Sequence, residues 1–380
     1  TDRSRGLGDV YKRQVHMLYC LCRIFPVKNN RIVFSSFDYR KFGGIPREIS
    51  DFLNSDFEKI WILDDDVEVN VPSDVKRVRP HSLMKIYYYS TAKVWVDSHH
   101  FGNRWKRSNQ YLIQTWHAAI PIKKIEGGCV EYFDPEHLKD VKKCSEMTDL
   151  QISNSDIATS VLRDGMWYYG PVLQVGMPTN DILVNISKKN RDCIKKELCL
   201  DASFKYILYA PTCRQDDSLD LVDALDYDQV VAAFEKRFSG KWKFLYRGHP
   251  IADQNKKGKI HNENVIDVTS YQKVNELLAI ADSVITDYSS TISDFLVTER
   301  PGFFFAYDYD DYKSRRDFYI PLNQWPFPLA KNNMELVSNI LEFDDVKFKE
   351  NVTKFKNEIN MRETGTSTQS VCDYIMKVCV

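Results

Sequence analysis

Residues 283–310, SVITDYSSTISDFLVTERPGFFFAYDYD, read as a buried strand, a polar turn, a short helix and a second buried strand. Ser283 to Thr286 is rich in β-branched residues and ends at Asp287 and Tyr288. Ser289, Ser290 and Thr291 stand where a helix should begin, with Asp294 in its first turn. Pro301 stops that helix, and Gly302 to Ala306 is apolar enough for a strand covered on both faces. A hydroxyl-rich turn between a strand and a helix start predicts an anion site, because unpaired N–H groups and the positive end of the helix dipole converge there. A well-capped helix with no ligand is the plain alternative.

The same alternation extends in both directions. Upstream, strands are expected at 205–210, 243–246 and 265–268, with helices at 227–238 and 271–281 between them. An earlier run has strands at 32–36, 59–63, 93–97, 111–114, 151–153 and 173–175. Helices are expected there at 46–53, 82–90, 135–148 and 155–164. Alternation of this kind predicts two α/β, doubly wound, mostly parallel sheets facing a cleft. The chain divides accordingly into an N-terminal segment (1–30), a first Rossmann-like domain (31–186), a second (187–332) and C-terminal helices (333–380) that pack back toward the first. Residues 1–14 lack an initiator Met and any pattern, and are read as an expression or sequence-assembly remnant.

At 380 residues the chain has room for two domains, and 43% hydrophobic with 28% charged residues is an ordinary globular composition. A net charge of −1 gives no argument for nucleic acid. The nine cysteines include no CxxC pair, which predicts free thiols and an intracellular protein. No apolar run is long enough to cross a bilayer. Val15 to Phe25 is read as a first core helix in preference to one lying in a membrane interface. Arg104, Trp105, Lys106 and Arg107 form the one basic and aromatic patch, a candidate membrane contact against the default of a solvated loop.

Three strand ends in the second half carry groups suited to phosphate. YAPTCRQ at 209–215 supplies Thr212 and Arg214, RGHP at 247–250 supplies Arg247 and His249, and the turn above supplies Ser289, Ser290 and Thr291. In the first half, QTWHAAIPIKKIEGG at 114–128 puts His117 just beyond a strand's C-terminal end, where open α/β sheets place ligands. A histidine there suits a general base near neutral pH. Neither GxxxxGK[ST] nor GxGxxG occurs, which speaks against a P-loop nucleotidase and a nicotinamide enzyme. Asp64, Asp65 and Asp66 read as a solvated turn; Asp308, Asp310 and Asp311 are harder to dismiss as a metal site.

TWHAAIPIKKI, YAPTCR, RGHP and TDYSSTISDFLVTERPGFFFAYDYDDY, with FSSFDYRKFGGIPREI at 34–49 and GMPTNDIL at 176–183, resemble the signature blocks of the CDP-glycerol glycerophosphotransferase family of teichoic acid synthesis. The resemblance implies a GT-B architecture and a CDP-polyol donor, CDP-glycerol in preference to CDP-ribitol. It also implies a lipid-linked saccharide or growing polymer as acceptor and a peripheral place on the cytoplasmic face of a bacterial membrane. It implies catalytic roles for His117 and His249, the first as base, and donor binding by Thr212, Arg214, Arg247, Asp287, Ser289, Ser290 and Thr291. No cofactor is demanded; a divalent metal such as Mg is compatible but not required. Four departures stand out: Thr179 where relatives commonly have arginine, Cys213 where they have tryptophan, one extra residue in WHAAIPIKK, and RDFYIP at 316–321 without the usual glycine and aspartate. The last leaves the donor polyol open. Rival readings are a ribitol-phosphate transferase, a GT-B glycosyltransferase using a nucleotide sugar, and a non-catalytic polymer-binding subunit.

Overall fold

A computed structural model describes residues 13–100, 104–212, 224–248 and 262–379. The expectations for Arg214 and His249, and for most of the N-terminal remnant, lie outside these residues. The first sheet holds β1 (Lys28–Ser35), β2 (Glu58–Ile62), β3 (Val75–Val78), β4 (Ala92–Asp97), β5 (Tyr111–Gln114), β6 (Leu150–Ser153) and β7 (Val172–Gln174). The second holds β8 (Phe204–Tyr209), β9 (Lys241–Tyr246), β10 (Val265–Asp267), β11 (Ser283–Thr286), β12 (Gly302–Phe305) and β13 (Leu329–Ala330).

The strand orders are β3-β2-β1-β4-β5-β6-β7 and β10-β9-β8-β11-β12-β13, and every pairing within the two sheets is parallel. Central strands such as VFS, VIT and GFFF are buried along their length because helices cover both faces, so they read as continuous apolar runs. In both sheets the chain winds outward from the first strand, then returns beside it. The order therefore reverses between β1 and β4 and between β8 and β11. Loops leaving the C-terminal ends of those four strands diverge and open a crevice, which is where doubly wound sheets hold ligands.

The helix Ser367–Cys379 crosses back to the first sheet, packing Val371, Cys372 and Ile375 against Ile45, Ile49 and Trp61. Its approach depends on Gly176, whose φ is 98° and where a Cβ would fall 2.5 Å from the Arg362 carbonyl oxygen.

One expectation is corrected here. The Arg104–Arg107 stretch is a structural clamp and not a free basic patch. Arg104 is 5% exposed, ion-paired to Asp97 at 2.6 Å and bonded to the Tyr39 hydroxyl at 2.6 Å. Trp105 lies against His16 and Tyr19, Lys106 pairs with Asp149, and Arg107 caps carbonyls of Cys22 and Phe25. The helix those groups hold, residues 13–22, packs one face on the core through Tyr19, Val15, Leu18 and Cys22, while Met17 and Leu21 are exposed and Ile24 and Phe25 follow in the open.

Candidate functional site

The loop after β1 turns sharply. Phe37, Asp38 and Tyr39 all have positive φ (47°, 52°, 69°), a conformation that costs non-glycine residues roughly 1–2 kcal/mol each. It is held in place by its neighbours at the crevice. Ser36 and Ser98 share a hydroxyl hydrogen bond at 3.2 Å, the Phe37 N–H donates to Ser98 Oγ, and Arg104 links Tyr39 to Asp97. The loop delivers Lys41 to the cleft, its stem lying over Gly43, where a Cβ would fall 2.8 Å from Lys41 Cε. Gly44, at φ 68°, then starts the helix Ile45–Phe52.

After β5, Trp116 also takes positive φ (55°), with its N–H donating to Gln114 Oε1. This reversal throws His117 into the cleft, its ring 4.0 Å from that of Trp116 and 5.8 Å from that of Phe37. The residue is exposed to the cleft, with the protein atoms of both chamber walls around it. That desolvation lowers its pKa to about 4; His99 and Lys123 push the same way, and a hydrogen bond with the Ser98 backbone opposes them. His117 is therefore neutral at pH 7 and able to accept a proton.

In the second domain, Asp287 ties two loops together. Its Oδ1 accepts from the N–H groups of Thr212, at 2.9 Å, and Tyr288, at 2.5 Å. A carboxylate so placed organises the site from behind, and its charge would repel a phosphate. The Ser289 and Thr291 hydroxyls share a hydrogen bond at 2.8 Å, and Ser289 Oγ accepts from the Thr291 N–H. The expected side-chain cap at Ser290 is not made, and the helix it opens, Thr291–Phe295, is only five residues long. So short a helix has a weak dipole, and the hydroxyls and N–H groups of the turn matter more. Arg247 enters from the end of β9, with its N–H on the Tyr209 carbonyl and its Nε lacking a hydrogen-bond partner among the described residues.

These groups line two adjoining chambers. The larger, about 470 Å³, is bounded by Thr212, Arg247, Gly248, Ser289 and Arg316 with Lys123 and Glu126 opposite. The smaller, about 150 Å³, is bounded by Lys41, Arg47, Glu48, Thr179, Lys273 and Asp294. Trp116, His117, Ala118, Ser290 and Thr291 belong to both walls. The histidine and the hydroxyl turn, 173 residues apart in sequence, thus face the same junction.

Main-chain bonds fix the gap between the domains. Lys123 and Phe318 form an antiparallel bridge, with the Lys124 N–H on the Asp317 carbonyl at 2.9 Å and the Tyr319 N–H on the Ile122 carbonyl at 3.1 Å. A second link joins Asn180 to Asp294 and, through Nδ2 at 2.9 Å, to Glu363, which also accepts from Asn154 and the Met177 N–H. Burial raises Asp294 and Glu363 to about 7, against the hydrogen bonds they accept. Neither Lys41 nor the Asp294–Asn180–Glu363 chain was singled out in the sequence; three left-handed residues before Lys41 leave no periodic signal.

The acidic candidates resolve as ion pairs and scaffold. Asp308 accepts from the Tyr288 hydroxyl, Asp310 pairs with Lys331, Asp311 with Arg315 and Asp65 with Arg79. Among the described residues no group of three or more His, Cys, Asp or Glu is arranged to hold a metal ion.

Comparison with known proteins agrees with this architecture. A teichoic acid poly(glycerol phosphate) polymerase of Bacillus spizizenii is 28% identical over 381 residues, covering 95% of this chain and 95% of its own length. One of Staphylococcus epidermidis is 29% identical over 374 residues, 92% of this chain and 51% of its own, so the chain spans about half of that relative. A solved structure of the wall teichoic acid polymerase TagF superimposes with a TM-score of 0.84 at 26% identity, over 99% of this chain and 97% of that one. The model of the family described as CDP-Glycerol:Poly(glycerophosphate) glycerophosphotransferase matches residues 17–377. With two doubly wound domains facing a cleft of this composition, the chain belongs to that family.

Proposed function

We propose that the chain transfers a polyol phosphate, glycerol phosphate in preference to ribitol phosphate, from a CDP-activated donor to a hydroxyl of a lipid-linked saccharide or a growing teichoic-acid-like polymer. The observation that carries this reading is the junction at which His117 and the Ser290–Thr291 turn line both chambers. The larger chamber has the volume and the cation for a nucleotide diphosphate; the smaller would admit the acceptor end. The acceptor oxygen attacks the donor phosphorus that bears the polyol, and its proton passes to neutral His117. The bond to the bridging oxygen breaks, and CMP leaves with that oxygen and its charge. Arg247, Ser289, Ser290 and Thr291 hold the diphosphate and offset the developing charge, with Thr212 beside them. Asp287 positions the Thr212 and Tyr288 amides rather than touching the donor. Arg214 and His249 complete the proposed donor set from the sequence alone. The glycerol preference rests on the names of relatives that match along most of this chain, the glycerol-phosphate polymerases above among them.

No described helix is long and apolar enough to cross a membrane. Peripheral attachment is proposed through the exposed side chains Met17, Leu21, Ile24 and Phe25, near exposed Leu83 and Met84; Phe25 reaches that helix through its contact with Tyr87.

Incubation with CDP-glycerol, CDP-ribitol or UDP-glucose and a lipid-linked saccharide acceptor tests the reading. CMP release fastest from CDP-glycerol is expected; turnover of UDP-glucose alone, or of none, would overturn it.

A further inference from the structure

The smaller chamber holds a charge that nothing in it answers. Arg47 pairs with Asp51 at 3.3 Å and Lys273 with Glu276 at 2.7 Å. Lys41 has a different environment: its ammonium lies 5.1 Å from the Phe37 ring centre, and the charges acting on it are Arg247 and Arg47, both repulsive. No carboxylate among the described residues offsets them, and desolvation with this repulsion lowers Lys41 to about 8. Of the three acids that line the chamber, Glu276 is taken by Lys273, and neither Glu48 nor Asp294 is paired with Lys41. Burial raises Glu48 and Asp294 to about 7, so at neutral pH each spends about half its time protonated and able to donate a hydrogen bond. Thr179 lines the same wall without charge. A neutral saccharide in this space would leave a desolvated ammonium uncompensated. A phosphate would be met by Lys41 and by protonated carboxyls.

We infer that the smaller chamber is a phosphate subsite on the acceptor side of His117, and that Lys41 is the residue that reads the acceptor's charge. The acceptor it selects is one whose attacking hydroxyl sits on a phosphate-bearing unit, as against a neutral saccharide end. Assigning the chamber to the acceptor rests on the transfer reading above; the binding of phosphate there does not.

Two measurements test this. The first is kcat/KM for a lipid-linked saccharide with and without a terminal glycerol phosphate. The wild type should favour the phosphate-bearing acceptor by about tenfold or more, which is roughly 1.4 kcal/mol. Lys41→Met should erase most of that preference, Lys41→Arg should restore it, and the KM for CDP-glycerol should stay near its wild-type value. Equal use of both acceptors, or a preference untouched in Lys41→Met, would overturn the inference and leave the transferase reading intact. The second is calorimetry of sn-glycerol 3-phosphate into His117→Ala protein saturated with CDP-glycerol, so that the larger chamber is filled. Binding of glycerol 3-phosphate but not glycerol, weakened by added Lys41→Met, is expected; no binding, or binding indifferent to Lys41, would overturn it. A wild type that releases no CMP from either donor overturns the transfer reading, and titration into the unliganded protein then decides this inference alone.

Discussion

His117 is poised by its surroundings: crowding keeps the imidazole neutral, and a left-handed Trp116 aims it at the turn of the other domain. His117→Ala should lower kcat by about 10²–10⁴-fold while leaving the KM for CDP-glycerol nearly unchanged. Its depressed pKa sets the sign of the pH profile. The neutral base persists as acid is added, and kcat/KM should hold from pH 8 to about 5 and fall only as the pH passes through about 4. A fall centred near 6.5, the ordinary histidine value, would contradict the environment described. This residue was legible in the sequence because a strand end followed by Trp-His and lysines is a local pattern. Lys41 was not, because its place depends on three residues of positive φ and on Arg104 acting from 63 positions away.

At the scale of elements, the parallel strands and the hydroxyl turn could be read directly, since buried β-branched and aromatic runs have one stable use in a doubly wound fold. β3 and β13 could not: VKRV exposes a charge at the sheet edge, and Leu329–Ala330 is two residues long. Arg104–Arg107 misled because charge in a loop reads as surface until its partners are known, and Tyr39, Asp149 and the Cys22 carbonyl are distant in sequence. Two consequences separate the patch from the helix it holds. Arg104→Ala should destabilise the fold by about 3–5 kcal/mol by leaving Asp97 buried without its partner. Met17→Ser with Leu21→Ser should leave the melting temperature nearly unchanged but reduce co-sedimentation with phosphatidylglycerol vesicles, and the wild-type binding should survive added salt in large part. Vesicle binding indifferent to both serines would remove this helix from the membrane-facing surface.

For the whole molecule, the titrations of the domain interface set stability against pH. Glu48, Asp294 and Glu363 are raised to about 7, so the folded chain binds more protons than the unfolded one between their ordinary values and 7, and stability is lost as pH rises through that range. His100 and His117, lowered to about 3 and 4, act oppositely and add stability as pH rises to about 6.5. The two effects largely offset below pH 6.5; above it the three carboxyls outweigh Lys41 and Lys85, which are lowered to about 8 and add stability only as the pH nears and passes that value. The melting temperature should therefore fall between pH 6.5 and 8, and Asp294→Asn should shrink that fall. An unchanged slope in this variant would assign the titration to other groups. The antiparallel bridge between residues 122–124 and 317–319 acts on the same interface by different means, because amides and carbonyls are common to nearly every residue type. The spacing between His117 and the turn at 289–291 is thus written in the main chain. Phe318, buried against Tyr288 and Tyr312, and Tyr319, whose hydroxyl accepts from the Ile125 N–H, pin the same strip from the side, so that only its exposed positions, such as Asp317 and Pro321, can take on new chemistry without His117 losing its place.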